Sequence, residues 1–224
     1  MGMAKRELMA KRAAKEIKHN SVVNLGIGIP TLVANYVGAK KNVWFHGENG
    51  LLGIGPAPNY GDQDPNNVNA GGIPCTNVKG SSYFDSCTSF GIIRAGLIDV
   101  TILGALEVSE KGDLANWIIP GKLVPGIGGG MELAQKAKKV IVVTTHTNKN
   151  GDSKIKKLCT LPITAPKCVD LIITDLAVME IKNNRLELLE IFSHTTIEEV
   201  LKKTEAELFV PDNVVIINYA KEGK

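Results

Sequence analysis

Apolar residues occur along this chain in short continuous runs that alternate with segments of helical spacing. The runs at residues 99–105 (DVTILGA), 139–145 (KVIVVTT) and 170–174 (DLIIT) are rich in β-branched side chains. Runs of this length and composition predict strands buried on both faces, as in a parallel sheet. Shorter runs at 21–25 and 43–45 predict two further strands.

Helical spacing separates several of these strands. Apolar side chains recur three and four residues apart in 4–18 and 86–96, which is typical of helices that pack on a sheet. Helices are also predicted over 31–37, over 132–138 and in a stretch that ends at Thr204.

The remaining segments predict a hairpin, a last strand and two loops. Residues 177–181 and 186–191 indicate the hairpin, and 214–218 the last strand. The polar residues 57–69 predict an exposed excursion of the chain. Residues 112–117 have no clean period and predict loop and turn.

Length, composition and charge fit a single globular domain. The chain has 224 residues, of which 44% are hydrophobic and 22% charged, and its net charge is +3. So small a charge gives no indication of nucleic-acid binding, and no apolar run approaches the ~18 residues of a membrane span. Since no repeat or linker interrupts the sequence, we predict one α/β domain over residues 1–224. We expect a largely parallel sheet flanked by helices, in a soluble cytoplasmic protein.

Cysteine and histidine are spaced too widely to indicate a metal or redox site. The cysteines form no C-x-x-C pair, so buried free thiols are predicted. The histidines lack the i, i+4 spacing of a helical metal pair, and we predict no metal. The residues concerned are Cys75, Cys87, Cys159, Cys168, His19, His46, His146 and His194.

One acidic residue stands out in the segment 43–56, VWFHGENGLLGIGP. Glu48 follows a predicted strand end, and the Asn49-Gly50 pair behind it is a strong turn signal. Apolar residues lie on both sides. A carboxylate in this position is either a solvated turn residue, which is the commoner case, or a group that is partnered or used in chemistry. The local pattern alone leaves both alternatives open.

Two glycine-rich loops each precede a predicted helix. They are residues 26–31, GIGIPT, and residues 126–131, GIGGGM. Backbone N–H groups at a helix start can bind an anion, and glycine lets another molecule approach the main chain closely. A dinucleotide-binding G-x-G-x-x-G motif would need glycine where Thr31 and Met131 stand, so nicotinamide binding is not indicated. For 126–131, ligand contact and a flexible helix entry are both open.

Several blocks in this order resemble the family I CoA-transferases. GENGLLGIGP, from Gly47, is similar to the family signature Ser-Glu-Asn-Gly followed by an apolar, glycine-rich run. The similarity runs from the first helix to Thr196. It is greatest to the B (β) subunits of the 3-oxoacid type, which includes succinyl-CoA:3-oxoacid and acetate/butyrate:acetoacetate CoA-transferases. The other matching blocks begin at Asn24 (NLGIGIP), Asn69 (NAG), Ser82 (SYF), Thr101 (TILGA), Gly112 (GDLANW), Pro120 (PGK), Gly126 (GIGGGM), Cys159 (CTLP) and Ile173 (ITD).

The resemblance implies the CoA-transferase fold and a set of site residues. In that family the glutamate at the position of Glu48 is the nucleophile that carries CoA as a thioester. The residue at the position of Gly129 offers a backbone N–H to the oxyanion. Coenzyme A is then a substrate, and no cofactor is needed. The resemblance also implies that Asn24 and the 26–28 loop border the thioester and that Asn49 and Gly50 hold the turn. The substrate- or CoA-binding residues are thus Asn24, Gly26, Gly28, Asn49, Gly50, Gly128 and Gly130.

A partner chain is implied in the same way. In the family the active site lies between an A half and a B half, which are fused or separate, and this chain resembles only the B half. The resemblance therefore implies a separate A (α) subunit, in an A2B2 or larger assembly, with an acyl-CoA and a carboxylic acid as substrates.

Four positions depart from the family pattern. Gly47 stands where serine is usual, so that hydroxyl is missing. Gly72 stands where some members have a lysine near CoA, and we expect that contact to be absent. Gly130 replaces alanine and should loosen its loop slightly, whereas Glu132 replaces aspartate and keeps the charge at the helix start.

Two other functions are compatible with the sequence. An acyl-CoA hydrolase or a lyase on the same scaffold would use a glutamate in a similar place, and a hydrolase would consume acyl-CoA without an acceptor acid. A non-catalytic regulatory or sugar-phosphate-binding module would leave Glu48 without a function.

Overall fold

The computed structural model describes residues 3–121 and 126–219, with side chains from Lys5 onward. The predicted turn residue Lys122 and the predicted polar tail 221–224 lie outside these residues. In chain order the elements are α1 (Met3–Ala14), β1 (Val22–Leu25), two 3₁₀ helices (Ile29–Tyr36 and Ala39–Lys41), β2 (Trp44–Gly47), β3 (Leu51–Ile54), β4 (Asn77–Tyr83), α2 (Ser86–Arg94), β5 (Val100–Leu103), β6 (Glu107–Ser109), β7 (Leu114–Ala115), α3 (Gly130–Lys136), β8 (Val140–Val143), β9 (Ile155–Lys156), β10 (Leu171–Ile173), β11 (Ala177–Lys182), β12 (Arg185–Phe192), α4 (Ile197–Lys203), β13 (Leu208–Phe209) and β14 (Val215–Ile217).

One large sheet organises the described part of the chain. Its strands run in the order β13-β12-β11-β10-β8-β5-β1-β2-β3-β4, and β14 also pairs with β12. The five central strands, from β2 to β10, are parallel to one another. On either side of them the sheet continues antiparallel, through β3 and β4 at one end and β11 and β12 at the other. The predicted α/β fold is confirmed, with a sheet that is parallel in its centre and mixed overall.

The central strands are apolar on both faces because the sheet is covered on both. In β8, Val140 and Val142 belong to one core cluster, and Ile141 and Val143 to the other. Helix α1 packs on the second cluster through residues such as Met9, whereas α4 contributes to the first. Each fully buried aliphatic side chain of this kind stabilises the fold by about 1.5–3 kcal/mol.

Three local predictions need correction. Helix α1 ends at Ala14 instead of continuing to residue 18. The predicted helix at 31–37 is a 3₁₀ helix over Ile29–Tyr36, with a proline near its start. The segment 112–117 contains β7, which joins β6 and β9 in a second, three-stranded sheet. A two-residue strand is too short to show a periodic pattern. Whether it forms depends on pairing with residues that are distant in the sequence.

The cysteines are not all buried. Cys75 is buried and Cys159 and Cys168 are partly buried, but Cys87 is exposed on α2. Burial raises the pKa of Cys159 and of Cys168 to about 12, so both are thiols at neutral pH. Within residues 3–121 and 126–219, no helix is long and apolar enough to cross a membrane.

Candidate active site

Glu48 lies on a tight turn between β2 and β3. The turn is closed by a hydrogen bond from the Gly50 N–H to the Gly47 carbonyl oxygen, with an N···O distance of 3.0 Å. Gly50 has a φ of 112°, and a Cβ there would lie 2.1 Å from the Phe84 carbonyl oxygen. Only glycine fits such a position. The half-buried Glu48 side chain therefore projects from a backbone that has little freedom to move.

Asn24 lies beside this turn because β1 and β2 are parallel neighbours, with Asn24 in register with His46. The buried Asn24 amide donates from Nδ2 to the His46 carbonyl oxygen at 3.0 Å and to Glu48 Oε2 at 3.2 Å. Its Oδ1 is buried and has no hydrogen-bond partner among the described residues. The amide thus holds one oxygen of the carboxylate through Nδ2.

The second glycine loop also reaches Glu48. Gly129 precedes the first residue of α3, and a Cβ at this position would lie 3.2 Å from Glu48 Cγ and 3.5 Å from Glu48 Cβ. The Gly130 N–H donates to the Ile127 carbonyl oxygen at 3.1 Å, so that group is used within the loop. Three predicted site residues, Asn24, Glu48 and Gly129, are brought together in space.

The other predicted glycines are placed less directly. The Gly26 N–H donates to the Ile102 carbonyl oxygen at 2.8 Å, so Gly26 belongs to the sheet rather than to an open anion loop. Gly28 has a φ of 94° and no atom within 4 Å of the place that a Cβ would take, and the same is true of Gly128 with a φ of 51°. These two positions are open to solvent or to a ligand.

The side chain of Asn49 forms its hydrogen bond outside the turn. Its exposed side chain donates from Nδ2 to the Val68 carbonyl oxygen at 2.8 Å and so connects the turn to the exposed excursion. Its Oδ1 lies only 2.6 Å from where a Cβ of residue 47 would be. Gly47 therefore makes room for this position of Asn49.

A cavity of about 750 Å³ lies beside the carboxylate. Its walls come from the first 3₁₀ helix, from β2 and β3, and from the chain around residues 69–75. Apolar side chains such as Leu32, Ile54 and Ile73 line it together with Glu48. A cavity of this size and character can hold a small organic ligand.

Sequence reasoning missed two polar residues behind Glu48. The His46 ring is 2% exposed, with Nε2 3.1 Å from Ser89 Oγ on α2 and Nδ1 3.4 Å from Asn24 Nδ2. Burial lowers the pKa of His46 to about 4, so the ring is neutral at pH 7. A signal was available, because Asn24 and His46 are polar residues in otherwise apolar strands. The contact with Ser89 could not be read from the chain, since the two residues are far apart in sequence.

A different carboxylate is bound within the second sheet. Glu107 accepts hydrogen bonds from the Thr160 N–H and the Thr160 hydroxyl, both at 2.7 Å, and from the Leu161 N–H at 3.0 Å. Nearby, the Thr164 hydroxyl donates to Asn116 Oδ1 at 2.6 Å, and Asn116 lies about 4.0 Å from a Cβ placed on Gly130. Asn116, which directly follows β7, therefore lies near the first residue of α3. The described residues contain no cluster of three or more His, Cys, Asp and Glu suited to a metal ion.

Comparison with known proteins decides the family. The sequence model of the Coenzyme A transferase family matches residues 6–203. The chain belongs to this family. The beta subunit of a probable coenzyme A transferase of Bacillus subtilis is 56% identical over 208 residues, which cover 93% of this chain and 96% of the relative. The B subunit of a succinyl-CoA:3-ketoacid coenzyme A transferase of Helicobacter pylori strain J99 is 54% identical over 205 residues, 92% of this chain and 99% of the relative.

A solved structure shows the same fold. An acyl-CoA transferase from Escherichia coli O157:H7 superposes with a TM-score of 0.77 at 22% identity, over 97% of this chain and 44% of that one. The relatives matched along nearly their whole length are named as B or beta subunits. The chain accordingly corresponds to the B or beta subunits of this family, and the predicted family and enzyme class are confirmed.

Proposed function

We propose that this B subunit, together with an A subunit, moves CoA from an acyl-CoA to a 3-oxo acid such as acetoacetate, through a thioester on Glu48. The observation that carries the proposal is the setting of Glu48. The side chain stands on a tight turn, its carboxylate is held through one oxygen by Asn24, its Cγ would lie 3.2 Å from a Cβ added at Gly129, and it borders an apolar cavity.

The proposed reaction is a series of acyl transfers. A Glu48 carboxylate oxygen attacks the acyl-CoA carbonyl carbon to form a tetrahedral adduct. The C–S bond of the adduct then breaks, which releases CoA as a thiolate and forms an acyl–glutamyl anhydride on the enzyme. The thiolate then attacks the Glu48 carbonyl carbon and releases the first acid as its carboxylate. The acceptor carboxylate reverses these two steps. Covalent catalysis of this kind splits one difficult exchange into easier ones.

The residues around Glu48 suit this chemistry. Each transfer passes through a tetrahedral oxyanion, which needs hydrogen-bond donors. The Asn24 amide and the Gly129 backbone N–H are the donors that we propose. The reactive anhydride and thioester have to be kept from water, and the apolar wall of the cavity fits the CoA arm or the acyl chain.

The choice of substrates rests on the relatives. The Helicobacter relative is named for succinyl-CoA and 3-ketoacids, and its identity to this chain supports a 3-oxo acid acceptor. We propose succinyl-, acetyl- or butyryl-CoA as the donor. Since the relatives are named as one subunit of two, we also propose that activity needs the A subunit, in an A2B2 or larger assembly.

Borohydride trapping tests this function. The assembled enzyme is mixed with acyl-CoA without acceptor acid and then treated with borohydride, which reduces a thioester but not a free carboxylate. We expect inactivation and conversion of the Glu48 carboxyl group to a primary alcohol, located by peptide mass mapping. Reduction at another residue, or none, would overturn the assignment.

Steady-state kinetics test the order of events. We expect parallel lines in double-reciprocal plots, because CoA stays on the enzyme while the first acid leaves. Intersecting lines would indicate a ternary complex. Acyl-CoA loss without an acceptor acid would indicate a hydrolase, and full turnover by this chain alone would contradict the need for a second kind of chain.

A further inference from the structure

The His46 ring links helix α2 to the two site strands. It is buried, lies against Phe84 with ring centroids 6.1 Å apart, and has a polar neighbour at each nitrogen. Nε2 is 3.1 Å from Ser89 Oγ, and Nδ1 is 3.4 Å from Asn24 Nδ2. The ring thus fills the space directly behind the amide that holds Glu48.

The hydrogen bonds of Asn24 fix the tautomer of this ring. The Asn24 amide faces the His46 carbonyl oxygen and Glu48 Oε2, and both of these only accept hydrogen bonds. The two hydrogens of its NH₂ group therefore point toward these oxygens, and His46 Nδ1 lies 3.4 Å from the same nitrogen. An N–H on Nδ1 would face this donor group, so the geometry favours a lone pair on Nδ1 and the proton of the neutral ring on Nε2, directed at Ser89 Oγ.

Protonation or the other tautomer would break this arrangement. Either change puts an N–H on Nδ1, against the NH₂ of Asn24, and two donors that face each other in a buried site repel. The amide would then turn or move and would release Glu48 Oε2. No other donor among the described residues reaches the carboxylate of Glu48, so its orientation depends on Asn24.

We propose that His46 is a positioning residue for Glu48. As a neutral imidazole fixed by Ser89, it orients the Asn24 amide, and that amide orients the carboxylate for attack. The proposal rests on the nucleophilic role of Glu48 given above. Misplacing a reacting group by about 1 Å can cost roughly a hundredfold in rate, so the predicted effect falls on kcat rather than on KM.

Variants of the assembled enzyme test the proposal. His46→Phe keeps a ring but loses both polar contacts, and we expect kcat to fall about thirtyfold or more with KM changed less than about twofold. Ser89→Ala should lower kcat by a smaller factor. His46→Gln keeps a donor for Ser89 and an acceptor for Asn24, so it should retain more activity than His46→Phe.

His146→Phe is the matched control. His146 is also buried, 1% exposed, with its nitrogens 3.0 Å from Thr174 Oγ1 and 2.9 Å from Thr204 Oγ1, and burial likewise lowers its pKa to about 4. It does not line the cavity. We expect this change to lower the melting temperature but to leave kcat per folded enzyme unchanged. Equal kcat losses in the two Phe variants would show a general packing effect and would overturn the positioning role.

The tautomer gives a readout that needs no activity. With this chain ¹⁵N-labelled at histidine in the assembled enzyme, the signals absent from His46→Gln identify His46. We expect the Nε2–H tautomer at pH 7; an Nδ1–H tautomer or an imidazolium would overturn the proposal even if His46→Phe fails to fold.

Borohydride trapping on wild-type enzyme separates the hypothesis on His46 from the proposed function of Glu48. Labelling at Glu48 with an unchanged kcat in His46→Phe rejects only the role of His46, whereas absent labelling rejects the proposed function.

Discussion

Glu48 and Glu107 are two carboxylates of the same chain in opposite situations. Glu107 is 8% exposed and accepts three hydrogen bonds of 2.7–3.0 Å. Glu48 is half-buried, receives one hydrogen bond, from Asn24 at 3.2 Å, and borders a cavity. Through its three bonds, Glu107 connects the second sheet to the 159–162 segment. Glu48 keeps lone pairs that nothing in the described part of the chain uses.

This difference separates a structural acid from the one that we propose to be reactive. A carboxylate whose oxygens are satisfied by fixed donors is stabilised as it stands and is a poor nucleophile, because attack would require those bonds to break. A carboxylate held through one oxygen on a rigid turn is oriented but still available. Burial alone would have marked Glu107 as the more unusual residue.

The largest effect should follow from removing the proposed nucleophile. Glu48→Gln should lower kcat/KM by about a thousandfold or more, because an amide is a poor nucleophile. Its free energy of unfolding should change by less than about 1 kcal/mol, since only one hydrogen bond is altered. The measurements are coupled-assay kinetics of the assembled enzyme, mass analysis for deamidation, and urea unfolding.

Glu132→Gln serves as the control for that change. Glu132 pairs with the exposed Arg94 at 2.8 Å, and such pairs contribute about 0–1 kcal/mol. Full activity in Glu48→Gln without deamidation, or an equal loss in Glu132→Gln, would remove Glu48 from the reaction.

Glu107→Gln should give the reverse result. The new NH₂ group would face donors instead of accepting from them, so we expect about 2–3 kcal/mol of stability to be lost. Activity per folded molecule should stay within about threefold of wild type, because Glu107 lies outside the cavity lining. Urea unfolding and kinetics on the same preparation measure both. A stable but inactive variant would make Glu107 part of the site.

A smaller effect should follow from reducing the space around Glu48. Gly129→Ala places a methyl group 3.2 Å from Glu48 Cγ, closer than ordinary packing, so the carboxylate must shift. We expect kcat to fall about ten- to thirtyfold. Gly130→Ala meets its first neighbour at 4.0 Å and should lose much less. Similar kinetics for the two variants would mean that Glu48 does not need this exact position.

The smallest effect should come from restoring the family serine. In Gly47→Ser the Cβ would lie 2.6 Å from Asn49 Oδ1, so Asn49 has to turn away and lose its bond to Val68. We expect about 1 kcal/mol or less of stability to be lost and kcat/KM to change by about twofold. Thermal unfolding and kinetics check this. A large gain in activity would show that the missing hydroxyl limits the natural enzyme.

The fold was predictable where composition alone decides structure. Strands such as β8 and β10 are apolar on every residue, which only a covered parallel sheet can accommodate. β7 and β9 were not predictable, because two-residue strands owe their existence to partners elsewhere. The 3₁₀ form of Ile29–Tyr36 was also missed, since its apolar spacing suits either kind of helix.

The candidate site was predictable only in part. Family resemblance pointed to Asn24, Glu48 and Gly129, which the structure brings together. It did not point to His46, for which the only signal was a polar residue in an otherwise apolar strand. Nor could the sequence show that Asn49 reaches Val68, or that the Gly26 N–H is taken by Ile102. Those facts depend on distances between segments that are remote along the chain.

The order of the strands in the sheet determines when this site can form during synthesis of the chain. β1, which carries Asn24, lies between β2 and β5, and Val23 pairs with Val100. A nascent chain can pair β1, β2 and β3 early, but the far edge of β1 stays unpaired until β5 has emerged. Such an open apolar edge is prone to wrong pairing and aggregation. Gly129 can pack beside Glu48 only after the 126–131 loop has also been synthesised. Glu48 is thus synthesised early in translation, but the residues around it can come together only after more than half of the chain has left the ribosome.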